Sequence, residues 1–128
     1  MGKYIIKETI MEKISNECLQ KFKAINDVKD ILSGKSKVMI IGSLSVFGER
    51  RYMELQRIIE GIGSKMLSKE LQELEINGLV NRTVMDTKPI TVKYELTAYG
   101  HTLKPIIDEM ASWGRQHRHK IIKEIAAK

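Results

Sequence analysis

The strongest constraint on this fold is a change of hydrophobic period between residues 64 and 96. Leu67, Leu71 and Leu74 recur at helical spacing, which predicts an amphipathic helix over residues 64–77. After that helix the period falls to two, through residues 80–84 and again through 92–96. This alternation predicts a β-hairpin with an exposed tip. The chain therefore places one short helix directly before a hairpin.

Further helices are predicted on both sides of this pair. Apolar residues at three- and four-residue steps predict them at about 4–14, 18–32 and 52–59, and a long one from residue 98 onward. Residues 35–47 are ambiguous, because their apolar residues are partly β-branched and Gly42 costs about 1 kcal/mol inside a helix, but their length favours a helix. Residues 48–51 are predicted to be a polar break. Thr97 is a suitable N-cap for the long helix, and Pro105 predicts a bend in it. Ile121, Ile122 and Ile125 indicate either a further helix or an extension of the long one. The fold class is therefore α+β and mostly helical.

Length and composition favour one folded domain over residues 1–128. The chain has 128 residues, of which 30% are charged and 42% hydrophobic, so a disordered or membrane protein does not fit. The run from Val38 to Ile41 is far shorter than the roughly 20 residues of a membrane span. No export or lipidation signal is expected at the N-terminus. A single cysteine, Cys18, suits a reducing compartment, so a cytoplasmic location without membrane contact is expected.

Two short helices followed by a hairpin predict a winged helix-turn-helix. In that arrangement the second helix enters the major groove of double-stranded DNA, and the hairpin contacts the adjacent backbone. The side chains opposite the leucines and the basic residues near them are the candidate DNA contacts. They are Arg50, Arg51, Ser64, Lys65, Met66, Ser68, Lys69, Gln72, Arg82, Lys88 and Lys93. For Lys65 and Lys69 the alternative is a solvated helix face balanced by Glu70, Glu73 and Glu75.

The net charge of +6 is a weaker argument than the position of the charges. Residues 113–128 hold five basic residues and one acidic residue, and so account for +4 of it. Residues 64–96 hold five of each sign. The excess of positive charge in residues 113–128 favours general attraction to a polyanion. The positions of the charged residues on the helix and hairpin favour specific contacts.

Several motifs in the middle of the chain together resemble a known family. They are Arg51-Tyr52-Met53-Glu54-Leu55, Gly61-Ile62-Gly63-Ser64-Lys65-Met66-Leu67, Leu71-Gln72-Glu73-Leu74-Glu75, Asn77-Gly78-Leu79-Val80 and Val92-Lys93-Tyr94-Glu95-Leu96-Thr97, with Gly100, Leu103, Pro105, Ile106 and Trp113-Gly114. They cover about residues 28–114 and are similar to the HxlR-type winged-helix transcription regulators, relatives of the MarR group. Three positions depart from the family's usual pattern: Ser36 replaces a Trp, Gly63 replaces a Ser cap, and Met53 replaces a polar cap.

The resemblance implies a homodimer whose N- and C-terminal helices pair. It would present two recognition helices to a pseudo-palindromic operator about one helical turn apart. Residues 1–27 would then be a helical arm, 28–97 the winged-helix core, and 98–128 the dimerisation helix and basic tail. The predicted interface residues are Ile6, Ile10, Ile14, Leu103, Ile106, Ile107, Met110 and Trp113.

Cys18 lies where many members of that family carry a cysteine that senses electrophiles or oxidants. In this chain Leu19 follows it, where the family has Pro. Two interpretations stay open: a redox sensor, or a buried residue that acts as a small hydrophobe. A small-molecule effector is a further alternative, and its identity is unknown.

No set of residues predicts an enzyme. There is no nucleophile with an adjacent base, and Gly61-Ile62-Gly63-Ser64 lacks the spacing of a phosphate-binding loop. His101, His117 and His119 are expected to be surface residues, with no metal or other cofactor. The competing function is a winged-helix module that binds another protein without specific DNA binding.

Overall fold

The structure is a computed structural model that describes residues 15–127. The chain divides into two compact units, Met1–Ser33 and Gly34–Lys128. The predicted helix at residues 4–14, with Ile6, Ile10 and Ile14, lies outside the described residues.

The first unit contains helix α1, Asn16–Leu32. Its N-cap is Ser15, whose hydroxyl oxygen accepts a hydrogen bond from the N–H of Cys18 at 3.2 Å. The helix ends at Leu32, with Ser33 as its C-cap, and matches the predicted element with two more residues at its start. Large apolar side chains such as Phe22 and Ile25 are exposed on it.

The second unit is built on three helices, α2 (Lys37–Phe47), α3 (Tyr52–Ile58) and α4 (Ser64–Ile76). All three were predicted as helices, α2 from the length of its segment and the other two from the spacing of their apolar residues. The side chains that form their common core are fully buried. They are Ile40, Ile41 and Leu44 of α2, Leu55 of α3, and Leu67, Leu71 and Leu74 of α4.

The N-terminus of α3 corrects the expectation for Met53. The N-cap is Arg51, and Met53 is the second residue of the helix. A carboxylate oxygen of Glu54 accepts a hydrogen bond from the N–H of Arg51 at 3.0 Å. This bond forms half of a capping box, so the helix start does not depend on a polar side chain at position 53.

A three-stranded antiparallel sheet has the order β1-β3-β2. Strands β2 (Val80–Met85) and β3 (Thr91–Leu96) form the predicted hairpin, with Val80 opposite Leu96 and Arg82 opposite Tyr94. The predicted polar break at 48–51 is partly wrong, because Arg50–Arg51 is strand β1 and pairs with β3. A strand of two residues has no detectable period, and its charged side chains suit a sheet edge.

The predicted long helix from residue 98 is wrong in its first turns. Helix α5 (Ala98–His101) is capped by Thr97, as expected, but α6 begins anew and runs Lys104–Ala127. Pro105 is the second residue of α6, where a missing N–H needs no intrahelical partner, so it starts the helix and does not bend its middle. The tail proves to be an extension of this helix and not a separate one.

Gly100 lets α5 pack directly against the start of the hairpin. A Cβ atom at this position would lie 2.1 Å from the carbonyl oxygen of Leu79. Only glycine therefore permits this approach.

Within residues 15–127, no helix combines the length and the apolar character needed to cross a membrane.

Candidate nucleic-acid interface

Helix α4 presents one buried and one exposed face. Leu67, Leu71 and Leu74 point into the core. The predicted contact residues of this helix all lie on its exposed side. They are Ser64, Lys65, Met66, Ser68, Lys69 and Gln72. The predicted amphipathic orientation of this helix is therefore present in the structure.

The N-terminus of α4 has no side-chain cap. Its N-cap is Gly63, in an extended conformation with φ −78° and ψ 157°. The first N–H groups of a helix carry partial positive charge and attract anions when no side chain satisfies them. This helix end is therefore suited to a phosphate group.

The acidic residues of α4 do not all belong to a solvated face, which corrects the alternative interpretation. Glu70 is only 2% exposed, and its Oε2 accepts a hydrogen bond from the N–H of Ser36 at 2.9 Å. Glu73 forms an ion pair with Lys37, whose side chain is buried. The hydrogen bond from Lys37 holds the pKa of Glu73 below its usual range, against the opposing effect of desolvation. Both carboxylates therefore fasten α4 to the N-terminus of α2, leaving Glu75 exposed.

Gly34 allows the chain to pass close to Glu70. It has a φ of +131°, and a Cβ atom there would lie 2.7 Å from Glu70 Oε1. A side chain at position 34 would be strained by its backbone conformation and would collide with the carboxylate. Gly34 thus makes room for this buried contact.

Tyr52 connects α3 to the N-terminal turns of α4. Its hydroxyl donates to the carbonyl oxygen of Ser64 at 2.9 Å and lies 3.0 Å from the hydroxyl oxygen of Ser68. Sequence reasoning did not select Tyr52 as a functional residue, and neither did it identify the roles of Lys37 and Glu70. These contacts join residues 12 to 36 positions apart, and no periodic signal reports them.

Arg82 lies on the hairpin face that is turned toward α4. It stands opposite Tyr94 in the sheet, so the two side chains share one face. A cavity of about 350 Å³ separates strand and helix, lined by Ser68, Gln72, Glu75, Arg82 and Tyr94. The structure therefore brings Arg82 beside the exposed residues of α4.

Lys93 and Arg51 lie on the opposite face of the sheet from Arg82. They are paired across β3 and β1. Lys93 Nζ is 3.1 Å from a carboxylate oxygen of Glu49, and Arg51 Nε is 3.3 Å from one of Glu54. The structure thus separates these two cations from the group around α4 and partly neutralises them.

Arg50 is also engaged within the fold. Its guanidinium carbon lies 5.6 Å from the centre of the Phe47 ring, and its Nε is 4.0 Å from Glu54. The pKa of Glu54 is lowered, chiefly by the hydrogen bond from the backbone of Arg51 and further by both guanidinium groups. In contrast, Lys65, Lys69, Arg82 and Lys88 form no ion pair within the part of the chain that is described.

Helix α6 carries an exposed apolar stripe. Ile106, Met110 and Trp113 are 41%, 48% and 65% exposed, and Trp113 stacks on His117 with ring centres 5.2 Å apart. Leu103 and Ile107, which were predicted to share this surface, are half-buried. Ile107 points toward Gly42 of α2, since a Cβ atom at Gly42 would lie 3.9 Å from it.

No metal-binding cluster of three or more His, Cys, Asp or Glu side chains is present among residues 15–127. His101, His117 and His119 are exposed. Cys18 is exposed as well, so its interpretation as a buried hydrophobe is wrong.

Two helices, α3 and α4, followed by a hairpin that returns beside α4 define a winged helix-turn-helix protein. Residues 31–122 match the model of the HxlR-like helix-turn-helix family, and the chain belongs to this family. It is a family of transcriptional regulators and not of enzymes, as predicted.

Three relatives illustrate the similarity. The chain is 38% identical over 92 residues to "Uncharacterized HTH-type transcriptional regulator YtcD" of Bacillus subtilis, covering 72% of each chain. A structure described as a MarR-family regulator from Porphyromonas gingivalis W83 has a TM-score of 0.69 and 38% identity, covering 80% of this chain and 96% of that one. The redox regulator HypR in its oxidized form has a TM-score of 0.67 and 35% identity, covering 73% of this chain and 95% of the other.

Proposed function

We propose that this protein is a sequence-specific transcriptional regulator that binds double-stranded DNA as a homodimer on a pseudo-palindromic operator. One observation carries the DNA contact: Lys65, Lys69, Arg82 and Lys88 lie on α4 and the hairpin without ion pairs among the described residues. Cations without ion pairs on α4 and on the hairpin, which is the wing of this motif, are suited to contact the DNA backbone on either side of a major groove. A regulator bound to the chromosome would reside in the nucleoid.

The proposed DNA contacts fall into groups according to the element that carries them. Lys65, Ser68, Lys69 and Gln72 of α4 are exposed where base edges would lie, together with Ser64 and Met66 in its first turn. Arg82 and Lys88 extend the positive surface along the wing. Arg50, Arg51 and Lys93 are expected to contribute less, because each already has a partner within the fold.

Alanine substitution of Lys69 and of Lys88 tests this assignment. Each variant should bind a duplex several-fold more weakly, because each loses one charge at the proposed interface. Its free energy of unfolding should stay within about 0.5 kcal/mol of the wild type, since both side chains are exposed. Lys23→Ala, at an exposed lysine of α1, is the matched control. Unchanged affinity in both variants would contradict the site, even if the protein binds DNA.

We also propose that Cys18 makes the regulator responsive to oxidants or electrophiles. Its exposed thiol supports this, because oxidation needs access to the sulfur, and HypR, a redox regulator, is a structural relative. Treatment with a quinone or peroxide should change the duplex affinity of the wild type and leave that of Cys18→Ser unchanged. A wild type that responds to neither reagent would exclude the sensing role.

A further inference from the structure

The hydrogen bonds around Tyr52 have only one consistent direction. A carbonyl oxygen can only accept, so the bond to Ser64 uses the single hydroxyl proton of Tyr52. The second contact of the same hydroxyl, 3.0 Å from Ser68 Oγ, then requires a proton from Ser68. Ser68 is therefore the donor and Tyr52 the acceptor in that pair.

This direction restricts what Ser68 offers to a ligand. A serine hydroxyl has one proton and two lone pairs, and the proton is directed back toward α3. The exposed oxygen on α4 is left with lone pairs only, so it accepts and does not donate. Phosphate oxygens, guanine N7 and O6, and thymine O4 are acceptors as well, whereas the amino groups of adenine and cytosine are donors in the major groove.

We propose that Tyr52 is a specificity-determining positioning residue of this regulator. Its hydroxyl holds Ser68 as an obligate acceptor, so α4 selects a base with an exocyclic amine, adenine or cytosine, at the position that faces Ser68. This inference rests on the proposed function, since it needs α4 in the major groove. Ser68 lines the same cavity as Arg82 and Gln72, which places it beside two other proposed contacts.

The test uses the full chain and a library of duplexes with a randomised central region. Wild type, Tyr52→Phe, Ser68→Ala and the double variant are each used to select bound duplexes. The selected sequences identify the base position whose preference changes in Ser68→Ala. At that position the wild type should select adenine or cytosine, and Tyr52→Phe should accept guanine and thymine too, because its Ser68 regains a free proton.

A second measurement removes only the exocyclic amine of the base that faces Ser68. Purine replaces adenine, or 2-pyrimidinone replaces cytosine, at that position of the selected duplex. Wild-type affinity should fall about three- to tenfold, the worth of one hydrogen bond. In Ser68→Ala and the double variant, which lack the accepting hydroxyl, the affinity should change less than about twofold. Tyr99→Phe, which removes a hydroxyl from an exposed tyrosine on α5, should behave as the wild type does.

The outcomes separate this inference from the proposed function. If the wild type retains no duplex at low salt, the proposed function fails and this inference fails with it. If it binds but selects guanine or thymine at the Ser68 position, or if Ser68→Ala alters no preference, only the inference is overturned. It is also overturned if Tyr52→Phe weakens binding to all duplexes equally and keeps the wild-type preference, because that result indicates a merely structural role.

Discussion

At the scale of single residues, helix α4 is held on α2 by buried polar side chains. Glu70 accepts a hydrogen bond from the N-cap of α2 and keeps its other oxygen without a partner among the described residues. Lys37 is buried against Glu73. Removing one member of such a group leaves the other desolvated and unpaired, which costs more than the contact itself contributes. The orientation of α4 on α2 therefore depends on these side chains as well as on the leucines.

Glu70→Ala should lower the free energy of unfolding by about 2–3 kcal/mol. The substitution leaves the buried N–H of Ser36 without an acceptor and opens a small cavity. Glu75→Ala, at an exposed position of the same helix, is the matched control and should cost less than about 0.5 kcal/mol. The comparison is made by urea unfolding at neutral pH. Equal effects of the two substitutions would contradict the role of Glu70.

Glu73 should make stability sensitive to acid. Its pKa is lower in the folded protein than in the unfolded chain, owing first to the hydrogen bond from Lys37. The stabilisation is therefore complete above the ordinary pKa of a glutamate in the unfolded chain and is lost as the pH falls through the lower folded pKa. Glu73→Gln should flatten the acid limb of stability, measured as urea midpoints between pH 7 and pH 3, whereas Glu75→Gln should not. If the urea midpoints of the two variants fall equally between pH 7 and pH 3, the role of Glu73 is contradicted.

At the scale of elements, the hairpin has two different faces. Arg82 shares its face with Tyr94 and borders α4, whereas Lys93 lies on the other face and is paired with Glu49. Alternation along a strand places residues 82 and 93 on opposite sides, because 93 pairs with Thr83 and not with 82. The face of the hairpin that carries Arg82 therefore offers more unpaired positive charge than the face that carries Lys93.

Arg82→Ala should weaken duplex binding several-fold more than Lys93→Ala does. Arg82 is free to contact DNA, whereas Lys93 must first leave Glu49. Affinities of both variants are compared by fluorescence anisotropy with one labelled duplex. A larger loss of affinity in Lys93→Ala would show that the hairpin face that carries Lys93 is the one that contacts DNA.

Elements whose apolar residues repeat several times at a fixed spacing were predictable from the sequence. Contacts between elements were not. The leucines of α4 and the alternation of the hairpin each repeat several times, so a local pattern indicates them. Strand β1 has two residues, too few to show a period, and α5 ends after four residues before α6 begins at Lys104. The candidate DNA contacts on α4 followed from its amphipathic pattern. Tyr52 and Glu70 could not be identified because their roles arise only when α2, α3 and α4 meet.

At the scale of the whole molecule, the exposed stripe of α6 supports the proposed homodimer. Ile106, Met110 and Trp113 lie at i, i+4 and i+7 on one continuous helix. A stripe of this kind is stable in water when a second helix covers it. Two copies joined here would carry two recognition helices, as a pseudo-palindromic operator requires.

Met110→Glu should shift the protein from dimer to monomer. A carboxylate within an apolar interface loses its hydration without gaining a partner. Sedimentation equilibrium should give half the wild-type mass, and affinity for a duplex with two half-sites should fall more than affinity for one half-site. Ala111→Glu adds the same charge outside the stripe and should remain dimeric. A dimeric Met110→Glu would exclude this face as the interface.

The dependence of DNA affinity on salt tests the central claim most directly. Wild-type protein is titrated against a random-sequence duplex at several salt concentrations from about 50 to 300 mM, a range across which phosphate contacts lose affinity steeply. If Arg82 and Lys88 of each subunit contact phosphates, log affinity should fall against log salt with a slope of about −4. Absence of binding at the lowest salt, or a binding constant that does not change with salt, would contradict the assignment of this protein as a DNA-binding regulator.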